Sequence, residues 1–354
     1  MNKKIIVVTP TFNGISDIPD FLSSFQRYTD LAVVQLVIVD NDSKDETVSY
    51  VMEHMPSAHI IRNTENKGFV ACNQGIVYAL DHGAEYVFLA NQDLMFGDGW
   101  MDPLMHAMNA DKTIAAAQSK MMMHPNRDTI NSCGNALHFL GFGYTQGYLK
   151  KETEYICDRI IDVAYCSGAA VMYSGVALKR AGMLDESFFM YHEDSDLCWR
   201  FRLVGYRCVV VPKSKVYHHY EFSRSIQKFY FIERNRIMMV LKNYKVRTLI
   251  LLLPMFLFWE CGMLCYSACA KIFFKKSLGF REKISAYGYF FSWKHLSALI
   301  QERRKVQVLR TVSDKEVTRL FTTKIVFQDV ENPIITYIAN PLSTIYWNII
   351  KKFI

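Results

Sequence analysis

Glu193, Asp194 and Asp196 place three carboxylates within four residues, and these repel one another. A fold keeps such a cluster where a helix N-terminus, a cation or a substrate hydroxyl makes use of the charge. Beyond them Leu197, Phe201 and Val204 recur at helical spacing, which predicts a helix over Ser195–Leu203 with Asp194 on its first turn and Arg200 and Arg202 turned elsewhere. A helix cap is the plain reading of acids placed there. The aromatic block Phe188, Phe189, Tyr191 just before them adds low-dielectric walls and a stacking surface, which tune a base and hold a sugar face. That setting makes the cluster a candidate for base chemistry as well as for a cap. Asp196 reads as a site residue or as the partner of Arg200 or Arg202.

The elements that must position this cluster begin with four short apolar runs rich in Val and Ile: Ile5–Thr9, Leu36–Asp40, His59–Arg62 and Tyr86–Ala90. Each ends abruptly in polar residues and reads as a buried strand. Between them lie helix-length segments, Ile18–Tyr28, Asp45–His54 and Phe69–His82, the second preceded by Ser43 and Glu46 in a capping-box pattern. Such alternation makes a parallel sheet covered on both faces, with ligands bound beyond the carboxyl ends of its strands. The polar strand ends then gather into one crevice: Thr9-Pro10-Thr11, Asp40-Asn41, Asn63 with Asn66-Lys67-Gly68, and Asn91-Gln92-Asp93. Asp40 could accept hydrogen bonds from a base or ribose edge, Lys67 could meet a phosphate and Asp93 could hold a divalent cation. Singly, each is equally a turn or cap residue.

From Gly99 to Lys151 the pattern loosens into expected loops and short strands, with a run Met121–Met123 and a Gly- and aromatic-rich segment Gly134–Tyr148. In Val163–Tyr173 the small residues Gly168-Ala169-Ala170 allow close backbone approach by a ligand or by a packing neighbour. Cys208–Val211 reads as a strand ending at Pro212. His218 and His219 follow, and a histidine there could close a metal site with Asp93.

At 354 residues, 51% hydrophobic and 14% aromatic, the chain exceeds one ordinary domain and is not disordered. Its net charge of +7 is concentrated in Lys228–Lys305, which suits a membrane surface or pyrophosphate, and nothing resembles a nucleic-acid motif. Nine cysteines without a C-x-x-C pair argue against a disulfide framework and a structural zinc site, and favour a reduced compartment. Cys261, Cys265 and Cys269 fall on one helical face, where packing is the expected use. The N-terminal MNKKIIVVTPTFN is too short in apolar residues for a signal peptide.

Phe229–Tyr244 is helical in pattern. Thr248–Ala270 meets the about 20 apolar residues a membrane span requires. It carries Glu260 near its middle and Pro254 as a kink, with Lys and Arg flanking both ends, which favours an interfacial or re-entrant helix over a span. Beyond it, basic helices alternate with a polar segment Arg310–Lys324, and an amphipathic helix is expected at Tyr346–Phe353.

Read together, VVTPTFNG, VIVDNDSKDET, ENKGFVACNQGI, ANQD, SGAAVMYS, GMLDESFFMYHEDSDLCWRFRLVGYRCVVVP and VYHH, over Ile5 to Tyr244, resemble family 2 glycosyltransferases, near the bacterial rhamnosyltransferase-like branch. The resemblance implies an α/β fold of the GT-A nucleotide-diphospho-sugar transferase type, a mostly parallel central sheet flanked by helices, with a helical, membrane-associated C-terminal extension. It implies a catalytic domain over 1–222, with a nucleotide-binding half 1–98 and an acceptor half 99–222, then a membrane-associated region 223–310 and a tail 311–354. The implied activity is inverting transfer of a sugar, rhamnose by branch, from a nucleoside-diphosphate donor to a saccharide or polyprenyl-diphosphate-linked acceptor in cell-surface polysaccharide synthesis, at the cytoplasmic face of a bacterial inner membrane. Asp194 would be the base. Thr9, Pro10, Asp40, Asn66, Lys67, Gly68, Asn91 and Asp93 would bind the donor, Glu193, Tyr191 and Arg234 the acceptor, and Asp93 with His218 a Mg²⁺ or Mn²⁺ ion. The metal motif departs from the family's Asp-x-Asp, since Asn91 replaces its first carboxylate. Two rivals are a sugar nucleotidylyltransferase, which expects a Gly-rich basic loop where Thr9–Asn13 stands, and a non-catalytic carbohydrate-binding subunit, which expects Asp93 or Asp194 to be lost.

Overall fold

The computed structural model describes residues 4–220, 228–274, 279–326 and 332–354. Two compact units divide the chain: residues 1–135 with 145–220, and residues 136–144 with 221–354.

The first unit is built on a ten-stranded sheet. β1 (Ile5–Thr11), β2 (Val34–Asp40), β3 (His59–Arg62) and β4 (Tyr86–Ala90) lie parallel in the order β4-β1-β2-β3. They are connected through α1 (Ile18–Tyr28), α2 (Thr47–His54) and α3 (Cys72–Asp81). The Val and Ile runs are buried because helices cover both faces of a parallel sheet. One core cluster joins Phe21 and Phe25 of α1 to Phe88, Phe96 and Trp100, with ring centroids 4.6–5.3 Å apart at Phe21–Phe96, Phe25–Phe96, Phe88–Trp100 and Phe96–Trp100. The register pairs Thr11 with Asp40 and Asp40 with Arg62, so the carboxyl ends of β1, β2 and β3 are level.

The other side of the sheet is mixed. β5 (Leu94–Phe96), β6 (Ile114–Met123), β7 (Ile130–Ser132), β8 (Ile161–Asp162), β9 (Ala170–Ser174) and β10 (Arg207–His218) extend it to β8-β10-β6-β9-β4, with β5 on β10 and β7 on β6. The segment read as loose therefore contains α4 (Asp102–Ala110) and the ten-residue β6, into which the Met run falls. Its sequence, IAAAQSKMMM, is short of the β-branched residues that mark a strand, and burial between β9 and β10 decides its conformation. Nor does β10 stop at Pro212: the register shifts between Val211 and Lys215, and that irregularity accommodates a residue that cannot donate to the ladder. The capping box is not formed either. Ser43 accepts the Asn13 N–H at 2.9 Å, while Thr47, the first residue of α2, donates its N–H to Asp45 at 3.1 Å. Against the expectation of reduced cysteines, Cys133 and Cys157 are joined in a disulfide, their Cα atoms 6.7 Å apart.

The second unit is helical: α7 (Phe229–Asn243), α8 (Val246–Phe274), α9 (Phe280–Phe290), α10 (Trp293–Leu309) and α11 (Asn340–Ile350). Helix α8 runs through Pro254 as one continuous helix. The tail helix starts earlier than Tyr346, continuing directly from a π-helical stretch over Ile335–Ala339, with Pro341 just after the change of pitch. Glu260 lies on the buried face of α8. It receives Arg236 Nη2 at 2.6 Å, lies 2.9 Å from Lys283 Nζ and accepts the Tyr287 hydroxyl. Arg236 also meets Glu233 at 3.0 Å, and its guanidinium stands 4.1 Å over the Phe142 ring. Two acids and two bases thus neutralise one another inside the unit. Burial alone would raise the Glu233 carboxyl, but Arg236 and Lys283 hold it at about 2. Cys261 and Cys265 are exposed rather than packed, and the Cys269 side chain lies outside the described residues.

Candidate active site

The crevice at the strand ends is held together by its own amides. Asp40 accepts the Ser43 N–H at 3.3 Å and the Thr11 hydroxyl at 3.4 Å, and is buried. Asn41 donates to the Gly68 carbonyl at 3.0 Å, while Asn63 and Gln74 exchange side-chain hydrogen bonds at 2.9 and 3.0 Å. Asn66 Oδ1 accepts the Gly68 N–H at 2.8 Å, folding the Asn66-Lys67-Gly68 turn and leaving Lys67 exposed. Gln92 Oε1 accepts the Phe12 N–H at 3.0 Å, fastening the turn after β4 to the end of β1, which Pro10 helps to shape. Thr9 Oγ1 is buried without a hydrogen-bond partner among the described residues.

Asp93 and His218 meet at 3.1 Å, although 125 residues separate them. Pairing of β5 with β10 sets Leu94 opposite His218, which brings them together. On its other side the imidazole meets Asn131 Oδ1 at 3.0 Å. With Nδ1 donating to that oxygen, the neutral ring would offer the Nε2 lone pair beside the Asp93 carboxylate; with Nε2 protonated, the ring donates to Asp93 instead. Two such acceptors side by side are the donor set a divalent cation uses, one imidazole nitrogen and one carboxylate oxygen. Among the described residues no group of three or more His, Cys, Asp or Glu side chains could hold an ion, so a cation at this pair would draw its other ligands from water, amide oxygens or a bound diphosphate.

Asp194 opens α6 (Glu193–Leu203) and is half-buried. Its two oxygens accept the N–H groups of Gly168 at 3.0 Å and Ser195 at 2.6 Å, which orients the carboxylate. Burial pushes its pKa up, against the pull of those N–H groups. The neighbouring carbonyl of Ala169 accepts the Asn91 N–H at 3.0 Å, which ties the loop holding Asp194 to the turn bearing Asp93. Gly168 serves packing rather than ligand approach, because a Cβ there would lie 2.7 Å from the Phe69 ring. Asp196 resolves as structural: it pairs with Arg200 at 2.9 Å, both buried, and Arg200 also caps the carbonyls of Ala181 and Met183. The approach to α6 is left-handed at Phe189, Tyr191 and His192, with φ of 64°, 65° and 68°. Non-glycine residues hold that conformation at a cost and commonly at functional sites.

Two ties bind the Asn66-Lys67-Gly68 turn and α3 to the segment leading to Asp194. A Cβ on Gly68, whose φ is +73°, would lie 2.3 Å from the Phe189 carbonyl oxygen, so only glycine fits. Asn73 bridges to Leu184 in both directions, at 2.8 and 3.0 Å.

Glu193 is buried, and its Oε2 has no partner among the described residues. Burial first, then the charges of Asp194 and Asp196, push its pKa well up. The native state thus binds a proton that the unfolded chain has released, and this group's contribution to stability falls as pH rises from the ordinary carboxylate range toward its raised value. Glu193→Gln, neutral and of the same shape, should remove that fall: its melting temperature exceeds the wild type's by more at pH 8 than at pH 5. A gap of the same size at both pH values shows that Glu193 does not carry this proton.

Arg234 belongs to the second unit. It is buried, donates Nε to Asn235 at 2.8 Å and stands 5.0–5.4 Å from the ring centroids of Tyr230, Phe231 and Tyr289. Asn131 and Gln74 were not singled out from the sequence, and Gln92 was named there only as part of the polar end of β4. Only Gln92 carried a signal, its place in the turn after β4; Asn131 sits in a three-residue strand with no pattern.

Residues 6–177 match the family described as Glycosyl transferase family 2. An N-acetylglucosaminyl-diphospho-decaprenol L-rhamnosyltransferase of Mycobacterium tuberculosis is 26% identical over 241 residues, covering 62% of this chain and 77% of the relative. The low-salt glycan biosynthesis hexosyltransferase Agl10 of Haloferax volcanii is 27% identical over 179 residues, covering 48% and 54%. Among solved structures, S. aureus TarS 1–349 aligns with a TM-score of 0.50 at 15% identity, over 99% of this chain and 90% of that one. GalNAc-T7 with UDP, GalNAc and Mn²⁺ aligns with a TM-score of 0.53 at 14% identity, over 67% of this chain and 47% of that one. Over residues 6–177 the chain matches family 2 of the glycosyltransferases, its fold is of the GT-A type, and its sequence is rhamnosyltransferase-like. It is an enzyme of sugar transfer from a nucleotide donor.

Proposed function

We propose that this transfer inverts the anomeric carbon and carries a sugar, rhamnose by likeness to the mycobacterial relative, to a hydroxyl of a saccharide linked to polyprenyl diphosphate. The observation that supports it is a carboxylate oriented by two backbone N–H groups and raised in pKa by burial, one loop away from the Asp93–His218 pair. Asp194 takes the proton from the attacking acceptor hydroxyl. Asp40 receives the nucleobase edge, Thr9 and Pro10 line its approach, and Asn66, Lys67, Gly68 and Asn91 hold the diphosphate. Glu193, Tyr191 and Arg234 contact the acceptor. Asp93 and His218 would hold Mg²⁺ or Mn²⁺, which would supply charge neutralisation at the departing diphosphate. The lipid-linked acceptor places the reaction at the cytoplasmic face of a bacterial inner membrane.

A panel of nucleoside-diphosphate sugars, assayed for release of the nucleotide with and without Mn²⁺, tests the reading. One donor should be turned over, and that nucleotide and Mn²⁺ together should raise the melting temperature by more than their separate shifts, because both bind the folded state. Asp93→Ala should erase the cooperative part. Equal nucleotide shifts with and without Mn²⁺ make the enzyme metal-independent, and a product that retains the donor's anomeric configuration removes the single-displacement chemistry.

A further inference from the structure

The outward faces of α8 and α11 carry an apolar surface that the enzyme's chemistry does not use. On α8, Val246, Ile250, Leu253, Leu257, Phe258 and Cys261 are exposed and share one side. On α11 and the turn before it, Ile334, Ile338, Leu342, Ile345 and Ile349 recur every three or four residues and are exposed by 44–60%. The two helices are antiparallel neighbours: the Tyr346 hydroxyl bonds the Leu251 carbonyl at 2.6 Å, and Trp259 bonds Ser343 at 2.8 Å. Both set their inner faces on one segment, Trp347 stacking on Phe139 and Trp259 meeting Phe142, so their outer faces form one surface. It is about 22 Å long from Ile334 to Ile349.

Charge says what covers it. Neither helix exposes an acid, since Glu260, the one acid between Val246 and Ala268, is buried in its ion-pair network. Where the first turn of α8 meets the end of α11, Lys245, Arg247, Lys351 and Lys352 are exposed. Lys315 joins them there, because its neighbour Asp314 accepts the Lys245 N–H at 2.9 Å and the Thr248 hydroxyl at 2.6 Å. An apolar stripe with cations at its edge is the pattern of a helix lying in a lipid interface, where anionic headgroups meet the cations. Val246–Ala268 has the length and composition to cross a membrane. Crossing it would expose Met255, Trp259 and Glu260, now packed within the unit, to lipid.

We infer that α8 and α11 dock this chain, lying flat, on an anionic phospholipid surface. The inference rests on the lipid-linked acceptor only for its purpose, and it fails separately from that reading, because flotation and turnover are different measurements. The full-length protein is floated with vesicles of phosphatidylcholine alone or mixed with phosphatidylglycerol. It should float with the mixed vesicles and release from them in high salt. Leu257→Gln with Ile345→Gln should abolish flotation while turnover of the donor in solution is kept. Lys351→Glu with Lys352→Glu should lower binding to the mixed vesicles by about 25-fold or more, at about fivefold per lost cation. Equal flotation with both vesicle types overturns the anionic partner. Failure to float, or a stable dimer in buffer that the Gln variant dissociates, overturns lipid docking, the latter by making this face a contact between two copies of the chain.

Discussion

Asp194→Asn lowers turnover by about 100- to 10,000-fold, or about 3–5 kcal/mol of barrier, while nucleotide affinity stays close to that of the wild type. The substitution keeps the shape and leaves an oxygen to accept a backbone N–H, from Gly168 or from Ser195. What it removes is the proton acceptor, and that group acts on the hydroxyl only as it attacks, so the loss belongs to the transition state and appears in kcat. Asp40→Ala does the opposite, weakening the donor with a smaller effect on kcat at saturation. Because burial raises the Asp194 pKa, wild-type turnover climbs with pH through a window above the ordinary aspartate range, whereas the Asn variant's residual rate does not follow that climb. Should the variant keep more than about a tenth of wild-type turnover with chemistry rate-limiting, Asp194 is a helix cap and Glu193 the next candidate.

Arg236→Met is the largest expected stability effect, a loss of about 3–5 kcal/mol in denaturant unfolding of the full chain. Arg236 is fully buried and bridges Glu233 and Glu260, so its removal leaves two buried carboxylates with Lys283 as their one remaining cation among the described residues. Arg236→Met combined with Glu260→Leu leaves one pair, Glu233 with Lys283, and should recover a large part of the loss, a non-additivity expected of residues in one network. If the double variant is as unstable as the sum of the singles, the four charges are not coupled.

The parallel half of the sheet was legible because each buried strand there is a run of Val and Ile closed by polar residues, and β3 and β4 have the bounds that pattern predicts. β6 was not, because an Ala- and Met-rich segment is a strand only by virtue of the neighbours it lies between. Along α6 the spacing marked Asp194 as a first-turn acid, but its bond to Gly168 comes from tertiary packing across 26 residues. His218 drew notice beside a second histidine, yet its other ring partner, Asn131, sits 87 residues away in a segment without period. Glu260 read as a cost to membrane insertion because its partners Arg236, Lys283 and Tyr287 lie on α7 and α9, and sequence spacing does not reveal contacts between helices.

The fit of Gly68 under Phe189, together with the two-way bridge between Asn73 and Leu184, bears on how this enzyme can be re-engineered. A chimaera that imports residues 184–192 from a relative, to change which hydroxyl is glycosylated, also replaces the surface against which the phosphate-side turn is moulded. Such a graft keeps the 66–68 turn intact only if positions 68 and 73 travel with it, so on the proposed roles the two halves of specificity are exchanged as one cassette.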